Sequence, residues 1–170
     1  HNTNRTRYDE RFSALTEEFA SLVSGRFHLY QYGLRGARGA IVSGGGVSTS
    51  RETFANYFST RDQLTEFPGA RGFGYIERVP SGAIETFVLQ ARDDGFPTFA
   101  IRELSPNPGE RFVIKYIYPQ AGNEGATGLD IASETNRRTA AQEAAETGLV
   151  RLTAPITLVQ ASGQLNHGFL

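Results

Sequence analysis

The first 43 residues carry apolar side chains at helical spacing. The repeat begins as Phe12, Leu15, Phe19, Leu22 and Leu29 and continues, after a change of phase, as Tyr30, Leu34, Ala37 and Ile41. Steps of three and four residues predict one helix over Arg7–Ser43. At 1.5 Å per residue it is about 50 Å long if unbroken, so it overhangs a small domain. The residues alone leave two interpretations open: a stalk that dimerises, or an amphipathic helix buried on its own subunit.

Three glycines, Gly33, Gly36 and Gly39, lie in the second half of this predicted helix. Each costs about 1 kcal/mol relative to alanine inside a helix. We therefore expect them to permit close backbone approach, with a kink as the alternative. The run Gly44–Gly46 should end the helix, and no Gly-Lys-Ser/Thr follows that would make it a phosphate loop.

The middle of the chain alternates between helical and extended patterns. Helices are predicted after a capping box formed by Thr49 and Glu52, and after an N-cap at Ser81. The first helix should run to about Arg61 and the second should end at Asp94. Strands are predicted over Phe73–Val79, Phe96–Leu104 and Phe112–Pro119.

The segment Gly128–Gln160 predicts a short strand, a helix and a long strand. Ser133 is the expected N-cap of that helix and Gly148 its C-terminal stop. The long strand, Leu149–Gln160, should be bulged or at an edge at Pro155, because proline cannot donate a ladder hydrogen bond. Another strand should begin within Gln164–Leu170. Together these elements predict an α+β fold in which helices pack on an antiparallel sheet.

Composition narrows the possible functions. A net charge of −1 argues against nucleic acid as a partner, and the absence of cysteine removes disulfides and thiolate chemistry. The histidines, His1, His28 and His167, share no ligand spacing, so no metal site is predicted. Catalytic signatures such as Gly-x-Ser-x-Gly are missing, so neither an enzyme nor a cofactor is expected. No apolar run reaches the length of about 20 residues that spans a membrane.

Three segments carry a resemblance to a known family. They are FPGARGFGYIERVP (Phe67–Pro80), RDDGFPTFAIREL (Arg92–Leu104) and the series GLDIAS, RR, ETG and LTAPITLVQ within Gly128–Gln160. In this order the chain resembles the CHASE family, the extracytoplasmic sensory domain of membrane receptors. The resemblance implies a long N-terminal helix followed by PAS-like sheet lobes, the membrane-distal one holding a small-molecule ligand.

The resemblance also implies a division of the chain and a setting. Residues 1–46 would form the stalk and dimerisation helix, 47–160 the ligand-binding lobe, and 161–170 the start of a membrane-proximal lobe that is expected to be incomplete. The implied location is periplasmic or extracellular, with transmembrane helices flanking the domain in the full receptor. The implied partners are a small-molecule ligand and a second copy of the chain, paired through the N-terminal helix.

Candidate ligand-binding residues are polar groups on apolar strands. Tyr116 and Tyr118 should share one sheet face, with Lys115 and Ile117 on the other. Thr153, Leu152 and Pro155, all in the segment LTAP, are candidates too. Thr153 should lie on a neighbouring strand and matches a family position. Arg102 is a further candidate. Plant members bind adenine-type cytokinins through a strand carboxylate, for which Glu103 and Glu110 are both candidates.

The resulting functional hypothesis is a sensor that signals across the membrane to a histidine kinase or diguanylate cyclase domain. The ligand could be adenine-like, as a cytokinin is. The alternative is an extracytoplasmic dimerisation or protein-interaction module that binds no small ligand. A sheet face filled by side chains would favour the module, whereas an open cavity with polar groups would favour the sensor.

Overall fold

A computed structural model describes residues 2–158 and 166–170. The helices are α1 (Asn2–Ser43), α2 (Arg51–Ser59), α3 (Gln63–Glu66), α4 (Ile84–Asp93) and α5 (Thr135–Thr147). The strands are β1 (Phe73–Val79), β2 (Arg111–Tyr118), β3 (Ile156–Thr157) and β4 (His167–Gly168). Both sheets are two-stranded and antiparallel, β1 with β2 and β3 with β4. The predicted α+β class, a long N-terminal helix followed by antiparallel sheet, is confirmed.

Helix α1 is continuous over 42 residues, so the predicted unbroken helix is confirmed and begins earlier than expected. Among the described residues, the body of the domain contacts the second half of α1, where Tyr30, Ala37 and Ile41 pack on the aromatic rings of α2 and β1. Close approach at the glycines is confirmed at two of the three positions. A Cβ built on Gly33 would lie 2.8 Å from the rings of Phe67 and Phe73, and one on Gly36 would lie 2.3 Å from the Tyr57 hydroxyl oxygen, whereas nothing lies within 4 Å of Gly39.

The β1–β2 sheet is covered on both faces. One face, here called the helix-side face, is covered by two apolar clusters. The first contains Phe54, Phe58, Phe67, Phe73 and Tyr116, and the second contains Val79, Phe87, Ala91, Phe99 and Val113. The opposite face packs Phe112 and Ile114 against Leu129, Ile131 and Ala132, with Ala141 of α5 beside them. Burial of these apolar side chains is the main stabilising contribution to the fold.

Two predicted helix caps are wrong by one residue. Ser50, not Thr49, caps α2, and its Oγ accepts from the Thr53 N–H at 3.1 Å. Glu134, not Ser133, caps α5, because the Ser133 hydroxyl instead donates to the Asp130 carbonyl. Each displaced candidate also makes a contact that spacing along the chain cannot reveal, since Thr49 donates to the Ile41 carbonyl and Ser133 accepts from the Leu104 N–H.

A third predicted cap is also wrong. Ser81 lies in a short 3-10 turn, and its hydroxyl donates to the Gly109 carbonyl instead of capping α4. The predicted C-terminal stop of α5 at Gly148 is confirmed, since this residue has φ of 67°, where glycine has no Cβ clash.

The strands Phe73–Val79 and Phe112–Pro119 are confirmed as β1 and β2, within one residue at each end. The predicted strand Phe96–Leu104 is wrong. It contributes a single bridge, Arg102 to Leu129, because its Phe99 side chain is fully buried in the second cluster and holds the segment as a loop.

The predicted long strand Leu149–Gln160 is also wrong over the described part, up to residue 158. Only Ile156–Thr157 pairs, with His167–Gly168, directly after Pro155. Leu149 and Leu152 are more than half exposed, so the alternating residues upstream have no sheet to pack on. Two predicted boundaries lie outside the described residues: Gln160, where the long strand was expected to end, and Gln164, where the segment of the last predicted strand begins.

Candidate functional site

A cleft of about 470 Å³ opens on the helix-side face. It lies between the turn that leads into α2 and the C-terminal end of α4, with β1 and β2 as its floor. Polar side chains dominate its lining, which consists of Val47, Ser48, Thr49, Ser50, Glu77, Gln90, Asp93, Asp94, Lys115 and Tyr116. Such a concave site with convergent polar groups is where a small ligand is expected to bind.

A β-bulge brings Lys115 into the cleft. The register passes from Tyr75 opposite Tyr116 directly to Ile76 opposite Ile114, so Lys115 has no partner in the ladder. A bulge redirects the side chain of the extra residue. The Lys115 ammonium accordingly lies on the helix-side face, 5.3 Å from the Tyr116 ring centroid and 3.0 Å from Glu77 Oε2. The prediction that Lys115 points away from Tyr116 is therefore wrong, since simple alternation assumes an unbroken ladder.

The Tyr116 hydroxyl joins three segments at one wall of the cleft. It lies 2.9 Å from the Thr49 carbonyl and 2.5 Å from Asp94 Oδ2, so one phenolic proton faces two acceptors. Burial, the hydrogen bond to Asp94 and the negative charge of Asp94 raise the pKa of the Tyr116 phenol. The phenol therefore remains protonated at physiological pH and acts as a donor.

Asp94 also fixes the start of α2. Its carboxylate accepts from the Arg51 backbone N–H, at 2.9 Å to one oxygen and 3.2 Å to the other. A carboxylate at a helix N-terminus is favourable because free N–H groups and the helix dipole are positive there. The end of α4 and the beginning of α2 are thus held by the carboxylate that binds Tyr116.

Arg51 fills the space behind Tyr116. Its guanidinium carbon lies 4.8 Å from the Phe96 ring centroid and 5.1 Å from that of Tyr116, and Nη2 donates to the Lys115 carbonyl at 3.2 Å. Burial lowers the pKa of this guanidinium, while Tyr116 and Asp94 act in the opposite direction. Within the described part of the chain, Arg51 Nε is buried without a hydrogen-bond partner.

The cleft is connected to the last turns of α1 through Thr49. This residue is 2% exposed, and its hydroxyl donates to the Ile41 carbonyl at 2.8 Å. Its own carbonyl accepts from Tyr116. A continuous set of hydrogen bonds therefore leads from Asp94 at the end of α4, through Tyr116 and Thr49, to the end of the long helix.

The two tyrosines lie on one face, as predicted. The Tyr116 ring packs 5.5 Å from Phe54 and the Tyr118 ring packs 5.8 Å from Phe58, both in the first cluster. Tyr116 lines the cleft, whereas Tyr118 contributes to the packing beside it and is not among the lining residues.

Thr153 lies elsewhere in the structure. Its hydroxyl accepts from the Leu170 N–H at 2.9 Å, and its own N–H donates to the Leu170 carbonyl at 2.8 Å. The expectation that it lies on a strand next to β2 is wrong for the described residues, because the neighbours of β2 there are β1 and the segment that contains Asp130. Its neighbours Leu152 and Pro155 are exposed and do not line the cleft.

The remaining predicted residues are engaged in other contacts. Arg102 donates to the carbonyls of Gly125 and Thr127 at 2.6 and 2.8 Å. Glu103 pairs with Arg111 at 2.7 Å, and Glu110 pairs with Arg78. None of these three candidates lines the cleft.

Glu103 belongs to a loop that a buried carboxylate holds in place. Asp130 is fully buried and accepts from Asn107 Nδ2 at 2.8 Å and from the Phe112 and Ala132 N–H groups at 2.9 and 3.0 Å. Since the Arg111 guanidinium lies between Glu103 and Asp130, this carboxylate network holds the loop against the sheet.

Of the ten residues that line the cleft, sequence reasoning proposed only Tyr116 as a ligand-binding residue. The missed residues include Thr49 in its tertiary role, Glu77, Asp93, Asp94 and Lys115. The sequence marks Asp94 only as the end of a predicted helix and Glu77 only as one residue of the predicted strand Phe73–Val79. Lys115 gave one usable signal, since it is the only lysine in the chain and lies in the middle of a strongly apolar strand. Lysine is almost never buried without a partner.

Two further features bear on the class of site. Within residues 2–158 and 166–170, no three potential metal-ligating side chains form a group that could hold an ion. Over the same ranges, none of the helices combines the length and the apolar character needed to cross a bilayer.

The family model of the CHASE domain matches residues 47–170. The search of curated proteins returns no match. The matched range includes the whole cleft, both sheets and helices α2 to α5.

Proposed function

The chain belongs to the CHASE domain family, the extracytoplasmic sensory domains of membrane receptors, and we propose that its cleft binds a small molecule whose presence is transmitted through α1. In the full receptor the output is a histidine kinase or diguanylate cyclase domain beyond a transmembrane helix. The domain itself binds and does not turn over its ligand. Residues 47–160 would form the ligand-binding lobe, with 1–46 as the stalk.

The observation that carries this proposal is the connection between cleft and helix. Tyr116 forms part of the cleft wall, and its hydroxyl contacts Thr49, which in turn donates to Ile41 near the end of α1. A ligand that moves Tyr116 or Asp94 acts directly on the residues that seat α1. Such a ligand shifts a signalling equilibrium only if it binds the two states with different affinity.

The first half of α1 supports pairing with a second copy. Its apolar residues Tyr8, Phe12, Leu15, Phe19 and Leu22 follow alternating steps of four and three, which is the a/d repeat of a coiled coil. Phe12 and Phe19 are 73% and 69% exposed, and the described body of the domain covers none of the five. A parallel partner helix would bury this stripe and place two clefts near one joint stalk.

The alternative of a dimerisation module without a ligand draws on the same stripe. The opposite sheet face fits that alternative, because Ile114, Ile131 and their neighbours fill it. The cleft on the helix-side face favours the sensor, since it is open and lined by charged groups.

The test is a thermal-shift screen with adenine-type cytokinins, nucleobases, amino acids and small carboxylates. A ligand that binds only the folded state raises the midpoint, since it adds RT ln(1 + [L]/Kd) to the free energy of unfolding. The sensor predicts at least one compound that raises the Tm of the natural protein and raises that of Asp93→Asn less. A Glu124→Gln variant, changed outside the cleft, should respond as the natural protein does. Equal responses in all three proteins would contradict binding in this cleft.

A further inference from the structure

The charges inside the cleft indicate a ligand class, which rests on the proposed sensor function. Lys115 is 5% exposed, and the bulge places its ammonium in the cleft. Among the described residues Glu77 is its one hydrogen-bond acceptor. A lysine ammonium has three donors, so two are left for whatever enters the cleft. A carboxylate is the group that such a partly satisfied, poorly hydrated ammonium binds best.

Negative groups line the same cleft on the side of α4. Asp94 is engaged by Arg51 and Tyr116, whereas the neighbouring Asp93 is exposed and lies outside every described hydrogen bond and ion pair. Asp93 offers a free carboxylate that can accept from an ammonium group. The cleft therefore presents one cation with spare donors and, in Asp93, an exposed carboxylate with both acceptor oxygens free.

Aromatic surface, in contrast, is not offered to a ligand. Tyr116 is 1% exposed, with its ring packed between Phe54 and the Arg51 guanidinium. Val47 is the single aliphatic residue in the lining. A planar purine gains much of its affinity by stacking on an aromatic face, and this cleft provides none.

From these three observations we infer that the cleft binds a small zwitterion, a molecule of the α-amino-acid class. Its carboxylate accepts from Lys115, and its ammonium donates to Asp93. Electrostatic complementarity of this kind selects for the presence of both charges, because losing either leaves one cleft group unpaired.

The inference is tested by isothermal titration calorimetry with matched probes. The twenty common amino acids are screened first, together with adenine and isopentenyladenine. The tightest amino acid is then compared with its decarboxylated amine and its deaminated acid, each of which keeps the side chain and one charge. The decarboxylated amine loses the contact to buried Lys115 and should bind about tenfold more weakly or worse, as for truncation of one partner of a desolvated charge pair. The deaminated acid loses only the contact to exposed Asp93 and should bind about two- to fivefold more weakly.

Variants locate the two contacts. Asp93→Asn, an exposed substitution, should weaken binding of the amino acid about two- to fivefold and leave binding of the deaminated acid unaffected. The double variant Lys115→Met with Glu77→Gln removes the buried pair without leaving an unpaired charge, and it should abolish binding while circular dichroism still shows a folded domain. Arg78→Gln breaks the ion pair between β1 and Glu110, the residue before β2, which lies outside the cleft. It is the control and should bind as the natural protein does.

Several outcomes would overturn the inference. If the deaminated acid binds as tightly as the amino acid, or if Asp93→Asn has no effect on the amino acid, the ammonium contact is wrong. If isopentenyladenine binds and no amino acid does, the ligand class is wrong but the sensor stands. If no probe of either class binds, the result counts against the sensor as well. If the double variant does not fold, Asp93→Asn and the two single-charge analogues still test whether the cleft binds a zwitterion.

Discussion

Alanine substitutions at two glycines of α1 test whether the second half of this helix is docked on the domain. Gly33→Ala places a methyl group 2.8 Å from the Phe67 and Phe73 rings, whereas Gly39→Ala places the same group in open space. Both substitutions gain about 1 kcal/mol of helix propensity. The two variants therefore differ only in what the new methyl group meets.

The magnitude follows from the rings around Gly33. Phe67 and Phe73 are 4% and 6% exposed and stack edge-to-face at 5.0 Å, so neither can move aside freely. Overpacking a core in this way costs about 1–3 kcal/mol. Gly39→Ala should thus raise the free energy of unfolding by about 1 kcal/mol. Gly33→Ala should leave it between unchanged and about 2 kcal/mol lower, which is the packing cost less the propensity gain.

Urea unfolding followed by circular dichroism measures both values at one protein concentration, with the midpoint and the slope fitted separately. A Gly25→Ala variant is a second control, because nothing lies within 4 Å of that position either. If Gly33→Ala stabilised the protein as much as Gly39→Ala does, the second half of α1 would not be docked on the aromatic cluster. The connection from cleft to helix would then have no structural basis.

Three further predictions concern the cleft wall, a helix cap and the exposed stripe. Tyr116→Phe should lower the free energy of unfolding by about 1–3 kcal/mol, because two acceptors lose their donor, while Tyr118→Phe serves as the control in the same urea titration. Glu134→Gln should cost about 1 kcal/mol at pH 7 as the loss of a helix cap. Burial raises the pKa of Glu134, but hydrogen bonds from backbone N–H groups outweigh burial and lower the pKa. The stability difference between Glu134→Gln and the natural protein should therefore shrink as pH falls from about 4 through the folded-state pKa. A stability difference that does not change with pH would contradict the cap. Phe12→Glu should shift a dimer to monomer in sedimentation equilibrium, whereas Ser13→Glu, which adds the same charge beside the stripe, should not.

Local signals in the sequence were sufficient for the elements that depend on local interactions. Apolar steps of three and four residues predicted α1 in spite of a change of phase, and β-branched and aromatic runs predicted β1 and β2. Gly148 stopped α5 as expected because its positive φ is a local requirement.

Prediction failed where tertiary contacts override propensity. The alternation of Phe96–Leu104 is typical of a strand, yet burying Phe99 against Phe87 outweighs pairing there. The Thr49 hydroxyl is taken by Ile41 and so cannot cap α2.

The candidate site was predicted only at Tyr116. The bulge at Lys115 changes which side chains share a face, and a one-residue irregularity leaves no mark in a pattern of period two. Asp94 is 22 residues from Tyr116 and 43 from Arg51 along the chain, so their contact depends on how α4 folds back over the sheet.

The central claim is that occupancy of the cleft changes how two copies of α1 pair. The most direct measurement is the distance between nitroxide labels at Thr16→Cys in the two copies, by double electron–electron resonance. The chain has no cysteine of its own, so the label is unique, and Thr16 lies outside the a/d stripe. The account predicts an intermolecular distance that shifts by about 2 Å or more when the tightest binder of the thermal-shift screen saturates the cleft. The absence of an intermolecular distance, or a distribution that is identical with and without that binder, would contradict it.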